Sequence, residues 1–351
     1  MDIVPYLDLM VEKRGSDLYF TPGSVPKMKV DGKMASVGTD VLSVKQVEQV
    51  VLSIMNSEQA DFFKKNLEVD FAIAHGEEGR FRVNAFHQKG SAAMVLRFIS
   101  GKVPSIDELK VPEILKELIL HRRGLLLMVG GTGSGKSTTL AAMIDHRNSN
   151  MGGHILTIED PVEFIHPHKK SLINQRELGP DTHSYANALK SSLREAPDVI
   201  LIGEIRNRET MEAALELAGT GHLCISTLHA NNANQALTRI INMFPQASHK
   251  QLFMDLSLYL RAILSQRLVP SVDNKRRAAV EVMINTPHIA EQILKGDVDQ
   301  VKEAIAVSSE KGVQSFDDAL LALYAEGAIS MEEALNSADS KANLETKIHF
   351  S

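Results

Sequence analysis

Apolar residues recur along this chain in three rhythms, each predicting a different kind of element. Over 80–87, Phe81, Val83 and Ala85 alternate with Arg80, Arg82 and Asn84, the period-two signature of a strand with one buried face. Strand-like stretches at 69–74 and 93–99 flank it. Helical spacing appears in Val44, Val47, Val51 and Ile54, which follow a Ser43/Gln46 capping box. It recurs in Leu252, Leu256, Leu260, Ile263 and Leu264, predicting a helix over 249–268. The third rhythm is an unbroken apolar run, as in 125–129 and 199–202. Together with strands at 154–158 and 223–227 and helices over 184–195 and 209–219, these runs predict a parallel sheet covered by helices on both faces.

The alternating strands belong to a small α+β unit over 1–99, with short strands at Tyr19-Phe20 and 28–30 and a hairpin turn at Asp31-Gly32. Ser100 to Ser105 read as a linker, assigned to 100–112, and a helix over 106–121 leads into the first buried strand. The α/β core spans 113–270. Beyond it, over 271–351, come a turn at Asp273-Asn274, a strand at 278–284 and short helices, one capped by Ser330 and Glu333. From Asn336 onward the chain is polar and is expected to fray. Overall the chain is α/β.

Composition removes several possibilities. The net charge of −6 gives no general electrostatic reason to bind nucleic acid. The single cysteine, Cys224, excludes an internal disulfide and a multi-cysteine zinc site, and reads as a packed small hydrophobe. No apolar run approaches the roughly 18 residues a bilayer span requires, and the start lacks a signal-peptide pattern. A cytoplasmic protein without direct membrane insertion is expected.

The buried strand at 125–129 runs into Gly130-Gly-Thr-Gly-Ser-Gly-Lys136-Ser137, followed by Thr138 and a helix. This is the phosphate-binding pattern G-x-x-x-x-G-K-[ST] in its strand–loop–helix context. Backbone N–H groups of Gly131, Thr132, Gly133, Ser134 and Gly135, with the helix N-terminus, suit phosphate oxygens. Lys136 suits the β- and γ-phosphates, and the Ser137 hydroxyl suits Mg²⁺.

Acidic and imidazole groups end the other buried strands, where ligands lie in open α/β sheets. Glu204 follows one apolar strand, Glu159, Asp160 and Glu163 follow another, and His229 closes a third. His222 and His229 flank one strand seven residues apart and do not easily share a metal. His166 and His168, separated by Pro167, read as a surface loop. The arginines of 80–87 are read as a solvated sheet face unless something makes them useful.

These residues together resemble a known family. Residues 130–137 look like Walker A, 157–164 like the "Asp box", 199–206 like Walker B and 221–230 like the "His box" of secretion ATPases. With Arg80-Phe-Arg-Val-Asn84 and Gly15-Ser-Asp-Leu18 upstream, the chain resembles a PilT-class type IV pilus ATPase. The resemblance implies a PAS-like N-terminal domain, a RecA-like P-loop NTPase domain with a helical C-terminal extension, and a homo-hexameric ring that hydrolyses ATP. It assigns Lys136 and Ser137 to phosphate and Mg²⁺, Glu204 to Mg²⁺, Glu163 to the attacking water and His229 to the γ-phosphate. Arg82 and Arg97 would approach the phosphates.

Two departures narrow the match. One cysteine and a short N-terminal region separate the chain from pilus-extension ATPases, which carry a four-cysteine zinc motif. Where the retraction ATPase PilT has Ala-Ile-Arg-Asn-Leu-Ile-Arg-Glu, this chain has His288-Ile-Ala290-Glu-Gln-Ile-Leu294-Lys295, closer to the accessory PilU branch. Asn207 stands where the family usually has aspartate. A motor for pilus retraction is therefore expected, working with a PilT-like ATPase on an inner-membrane platform protein and peripheral to that membrane. The alternatives are a ring-shaped nucleic-acid translocase and a regulatory ATP-binding subunit with little turnover.

Overall fold

The computed structural model describes residues 2–30, 32–76, 79–100 and 102–350; Asp31 of the expected turn and Gly101 of the expected linker lie outside them. Contacts divide the chain into two units: Met1–Lys102 with Glu163–Ile165, and Val103–Val162 with His166–Ser351.

In the first unit, strands β1 (Asp17–Phe20), β2 (Lys27–Val30), β3 (Lys33–Ser36), β4 (Glu68–His75), β5 (Gly79–Gln88) and β6 (Ser91–Ser100) form an antiparallel sheet ordered β3-β2-β1-β6-β5-β4. Capping boxes at Ser43 and Asn56 start helices Val44–Ser53 and Ser57–Asn66. Val47, Val50, Val51 and Phe63 from these helices share a core with Phe20, Phe81, Val83, Met94 and Leu96. The alternation in β5 holds: Phe81, Val83 and Ala85 are buried, and Arg80, Arg82 and Asn84 are half-buried.

The second unit is built on β7 (Gly124–Val129), β8 (Gly153–Glu159), β9 (Ser171–Glu177), β10 (Val199–Ile202), β11 (Leu223–Leu228), β12 (Leu260–Pro270) and β13 (Arg276–Ile284). Their order is β13-β12-β7-β11-β10-β8-β9, and every pair is parallel except β12 with β13. Leu125, Leu127 and Val129 of β7 pack into one apolar cluster, while Leu126 and Met128 pack into another. Both faces of the strand are therefore buried, which is why it reads as an unbroken apolar run.

Three expectations are corrected. The predicted helix over 106–121 is two short pieces, Ile106–Leu109 and Ile114–Leu118, because Lys110 takes a left-handed conformation and Pro112 follows. The predicted helix over 249–268 stops at Tyr259, and Leu260 begins β12 beside β7. Apolar residues at 260, 262, 263 and 264 satisfy a helical stripe equally well, but here they fill both faces of a central strand. The tail is ordered: helices Met331–Ser337 and Lys341–Phe350 pack around Leu344, Phe316 and Val269. Asp317 accepts the backbone N–H groups of Asp339 and Ser340 at 2.9 and 3.3 Å, tying the two helices down. The edge strand β9 has no clear counterpart in the sequence reading, since its burial alternates only in its first half.

Candidate functional site

The loop after β7 is shaped by its glycines. Gly130 and Gly135 take φ of +154° and +83°, a region costly to a residue with a Cβ. Gly131, Thr132 and Gly133 are exposed, whereas Ser134 and Lys136 are buried and Gly135, Ser137 and Thr138 are half-buried. Lys136 Nζ donates to the carbonyls of Gly130 and Gly131, each at 2.8 Å, so its charge is held against the loop. Ser134 Oγ is buried with no hydrogen-bond partner among the described residues. Helix Lys136–Asn150 begins at the loop with its N-terminus towards it.

The neighbouring strands end beside one another. Glu204, just past β10, has a largely buried side chain, 14 % exposed. One carboxylate oxygen accepts from Arg206 Nε at 2.8 Å, and the other lies 3.3 Å from Nε2 of His229, just past β11. The same pair raises the pKa of the Arg206 guanidinium. Thr227 Oγ1 donates to the Gly203 carbonyl at 2.6 Å, locking the two strand ends together. Glu159, the last residue of β8, accepts from Thr157 Oγ1 at 2.6 Å and from Gln175 Nε2 at 3.2 Å. Its charge is thus steadied by neutral donors, where like charges alone would repel.

Tyr185 closes this corner. A Cβ on Gly203 would stand 2.7 Å from its hydroxyl, so only glycine lets the phenol lie against the turn. Burial, and then the carboxylates of Asp160, Glu204 and Glu159, push the phenol's pKa up, so it stays neutral at physiological pH. Tyr185 and Gln175 belong to no contiguous motif, and Thr157 opens the 157–164 stretch with no chemistry that its position alone suggests. Gln175 is the register partner of Thr157 on the neighbouring strand, so its reach to Glu159 is visible only once the β8–β9 pairing is known.

The remaining expected residues scatter. Glu163 is exposed and belongs to the first unit, whereas Glu159 belongs to the second. Arg82 and Arg97 also lie in the first unit, directly opposed on β5 and β6. Arg97 Nε donates to buried Asp17 at 2.8 Å, and Arg82 Nε lies a looser 3.9 Å from Asp70. His222 precedes β11 and His229 follows it, past opposite ends. The surface-loop reading of 166–168 fails for His166, which is 8 % exposed; burial lowers its pKa to about 4. His168 remains exposed. Cys224 is fully buried, and burial pushes its thiol up to about 12. Asn207 caps helix Arg208–Gly219 by accepting from Thr210 N at 2.9 Å, a task asparagine performs as well as aspartate.

A family model described as "Type II/IV secretion system protein" matches residues 3–339. The chain belongs to that family. It is 53 % identical over 349 residues to the type IV pilus ATPase PilU of Pseudomonas aeruginosa, covering 99 % of this chain and 91 % of that protein. It is 42 % identical over 334 residues to the type IV pilus retractation ATPase PilT of the same organism, covering 95 % and 97 %. Among solved structures, the pilus retraction motor PilT with bound ADP superposes with a TM-score of 0.93 at 37 % identity, covering 99 % of each chain. Among the described residues no helix is long and apolar enough to cross a membrane.

Proposed function

We propose that this chain is the ATP-hydrolysing subunit of a hexameric motor that retracts type IV pili and drives twitching motility. It works in the cytoplasm, peripheral to the inner membrane, with a PilT-like ATPase and a membrane platform protein as partners. The observation that carries this reading is the alignment of four adjacent strands: β7 ends in the phosphate loop, β11 in His229, β10 in Glu204 and β8 in Glu159. The similarity to PilU and PilT supplies the pilus context.

The residues suit a nucleotide. An unpartnered buried hydroxyl at Ser134 and a buried lysine sit in a loop whose exposed glycines meet nothing within 4 Å of an added Cβ. Lys136 would exchange its contacts with loop carbonyls for phosphate oxygens, as the stronger acceptors. The Ser137 hydroxyl and the Glu204 carboxylate are the hard oxygen donors Mg²⁺ prefers. Ser137 and Glu204 would hold the ion, whose positive charge would stabilise the phosphates during transfer. Glu163 would accept a hydrogen bond from the attacking water, and His229, held by Glu204, would donate towards the γ-phosphate. Arg82 and Arg97 would add positive charge from the first unit.

Dependence on a partner follows from helix Pro287–Lys295. Ile289 and Ile293 are buried, while Ala290 and Leu294 stand where PilT has arginines, and Leu294 is 53 % exposed. The chain thus offers an apolar contact in place of two charged ones. The test is genetic. Supplied alone in cells lacking the PilT-like ATPase, this protein should leave labelled pili unretracted. Adding a catalytically dead partner should restore movement driven by this chain's own turnover. Vigorous retraction without any partner would show an autonomous motor.

A further inference from the structure

Gln266 lies on β12, outside every motif of the phosphate loop, and is 2 % exposed. Its side-chain amide is paired at both ends to that loop's surroundings. Nε2 donates to the Ser134 carbonyl at 2.8 Å, and Oε1 accepts from the Thr139 hydroxyl at 2.8 Å. Both glycines that bound the loop bear on the same residue. A Cβ on Gly130 would stand 2.5 Å from the Gln266 carbonyl oxygen, and one on Gly135 would stand 2.8 Å from Nε2. The loop is therefore seated on β12 at its beginning and its end.

The peptide linking Ser134 to Gly135 is trans, since the only cis bond among the described residues is Asp160–Pro161. In a trans peptide the C=O and N–H point in opposite directions. Drawing the Ser134 carbonyl towards Gln266 therefore turns the Gly135 N–H away from β12. The bond from Thr139 fixes the first turn of the following helix in the same way.

We infer that Gln266 is a positioning residue for nucleotide binding: it sets the direction of the Gly135 N–H donor and the start of the helix before any phosphate arrives. This rests on the nucleotide-binding reading above. Preorganised donors bind without the entropic cost of ordering a loop, so the loss should fall on affinity more than on the chemical step.

The test uses the full chain with a fluorescent ATP analogue, competed with ATP, alongside steady-state kinetics and thermal melts without nucleotide. Gln266→Met keeps the volume but leaves the Ser134 carbonyl and Thr139 hydroxyl unpaired. It should weaken nucleotide binding about tenfold or more, raising KM more than it lowers kcat. Thr139→Val loses one of the two bonds and should weaken binding by a smaller factor. The double variant should be no weaker than Gln266→Met plus a small increment, because the residues act as one unit. Wild-type affinity in Gln266→Met would overturn the inference, as would an equal loss in kcat with KM unchanged. Should Gln266→Met not fold, Thr139→Val decides alone, and unchanged affinity there overturns it. If the unaltered protein binds no nucleotide, the functional reading itself fails and this inference with it.

Discussion

The six-stranded sheet of the first unit carries Arg82 and Arg97 on an open face, opposite one another on β5 and β6, whereas the second unit places Lys136, Glu159, Glu204 and His229 at or just beyond the ends of its strands. In the first, like charges face each other across a strand pair, which costs stability unless an anion or carboxylate answers them. Asp17 answers Arg97 closely and Asp70 answers Arg82 loosely. In the second, each charge is matched locally: Lys136 by loop carbonyls, Glu204 by Arg206 and His229, Glu159 by Thr157 and Gln175. The edge is thus organised on its own terms, while on the face each arginine has a carboxylate neighbour, close for Arg97 and loose for Arg82.

Substitutions sharpen this contrast. The largest effect is expected from Lys136→Ala, which keeps the loop's backbone donors but leaves phosphate charge uncompensated; turnover should fall to background while the melting temperature stays near that of the parent. Undiminished turnover would move the active site away from the loop. Next, Glu163→Ala should bind ATP and stall, losing about a hundredfold or more if its carboxylate acts as the base. If Glu204→Ala instead binds and stalls while Glu163→Ala turns over, the two carboxylates exchange roles.

On the open face, Arg82→Ala should cut turnover about tenfold, the size of one lost charge-assisted contact, and barely shift the melt. Arg97→Ala should cut turnover similarly but also lower the melting temperature, because it strips buried Asp17 of its closest partner. Equal melting losses in both variants, with turnover unchanged in the folded fraction, would return the arginines to a purely solvated face.

The smallest effect concerns His166. Its folded pKa lies near 4 and its ordinary value is 6.5, so the unfolded chain takes up the proton first as pH falls. Stability should be full above pH 6.5 and decline towards pH 4. His166→Gln should flatten that decline in melts recorded across the range, and an unaltered slope would assign the acid sensitivity to other groups.

What could be read from the sequence tracks how local each device is. The phosphate loop and the buried strands β7 and β10 are contiguous, and their patterns have one sensible reading. The residues 260–264 are equally consistent with a helical stripe and a fully buried strand, and only pairing with β7 decides between them. Gln266, Tyr185 and Gln175 contribute through register and crossing contacts, so no window of sequence around them carries a signal. Arg82 was legible as a face, but its opposition to Arg97 needed the β5–β6 register.

A ring-forming ATPase should change size with its nucleotide. Light scattering of the full chain at micromolar concentration, with a non-hydrolysable ATP analogue and Mg²⁺, should show a particle of about six subunits that the Lys136→Ala variant fails to form, in parallel with its loss of ATP turnover. A monomer under the same conditions, with turnover undiminished, would show an ATPase that works without a ring.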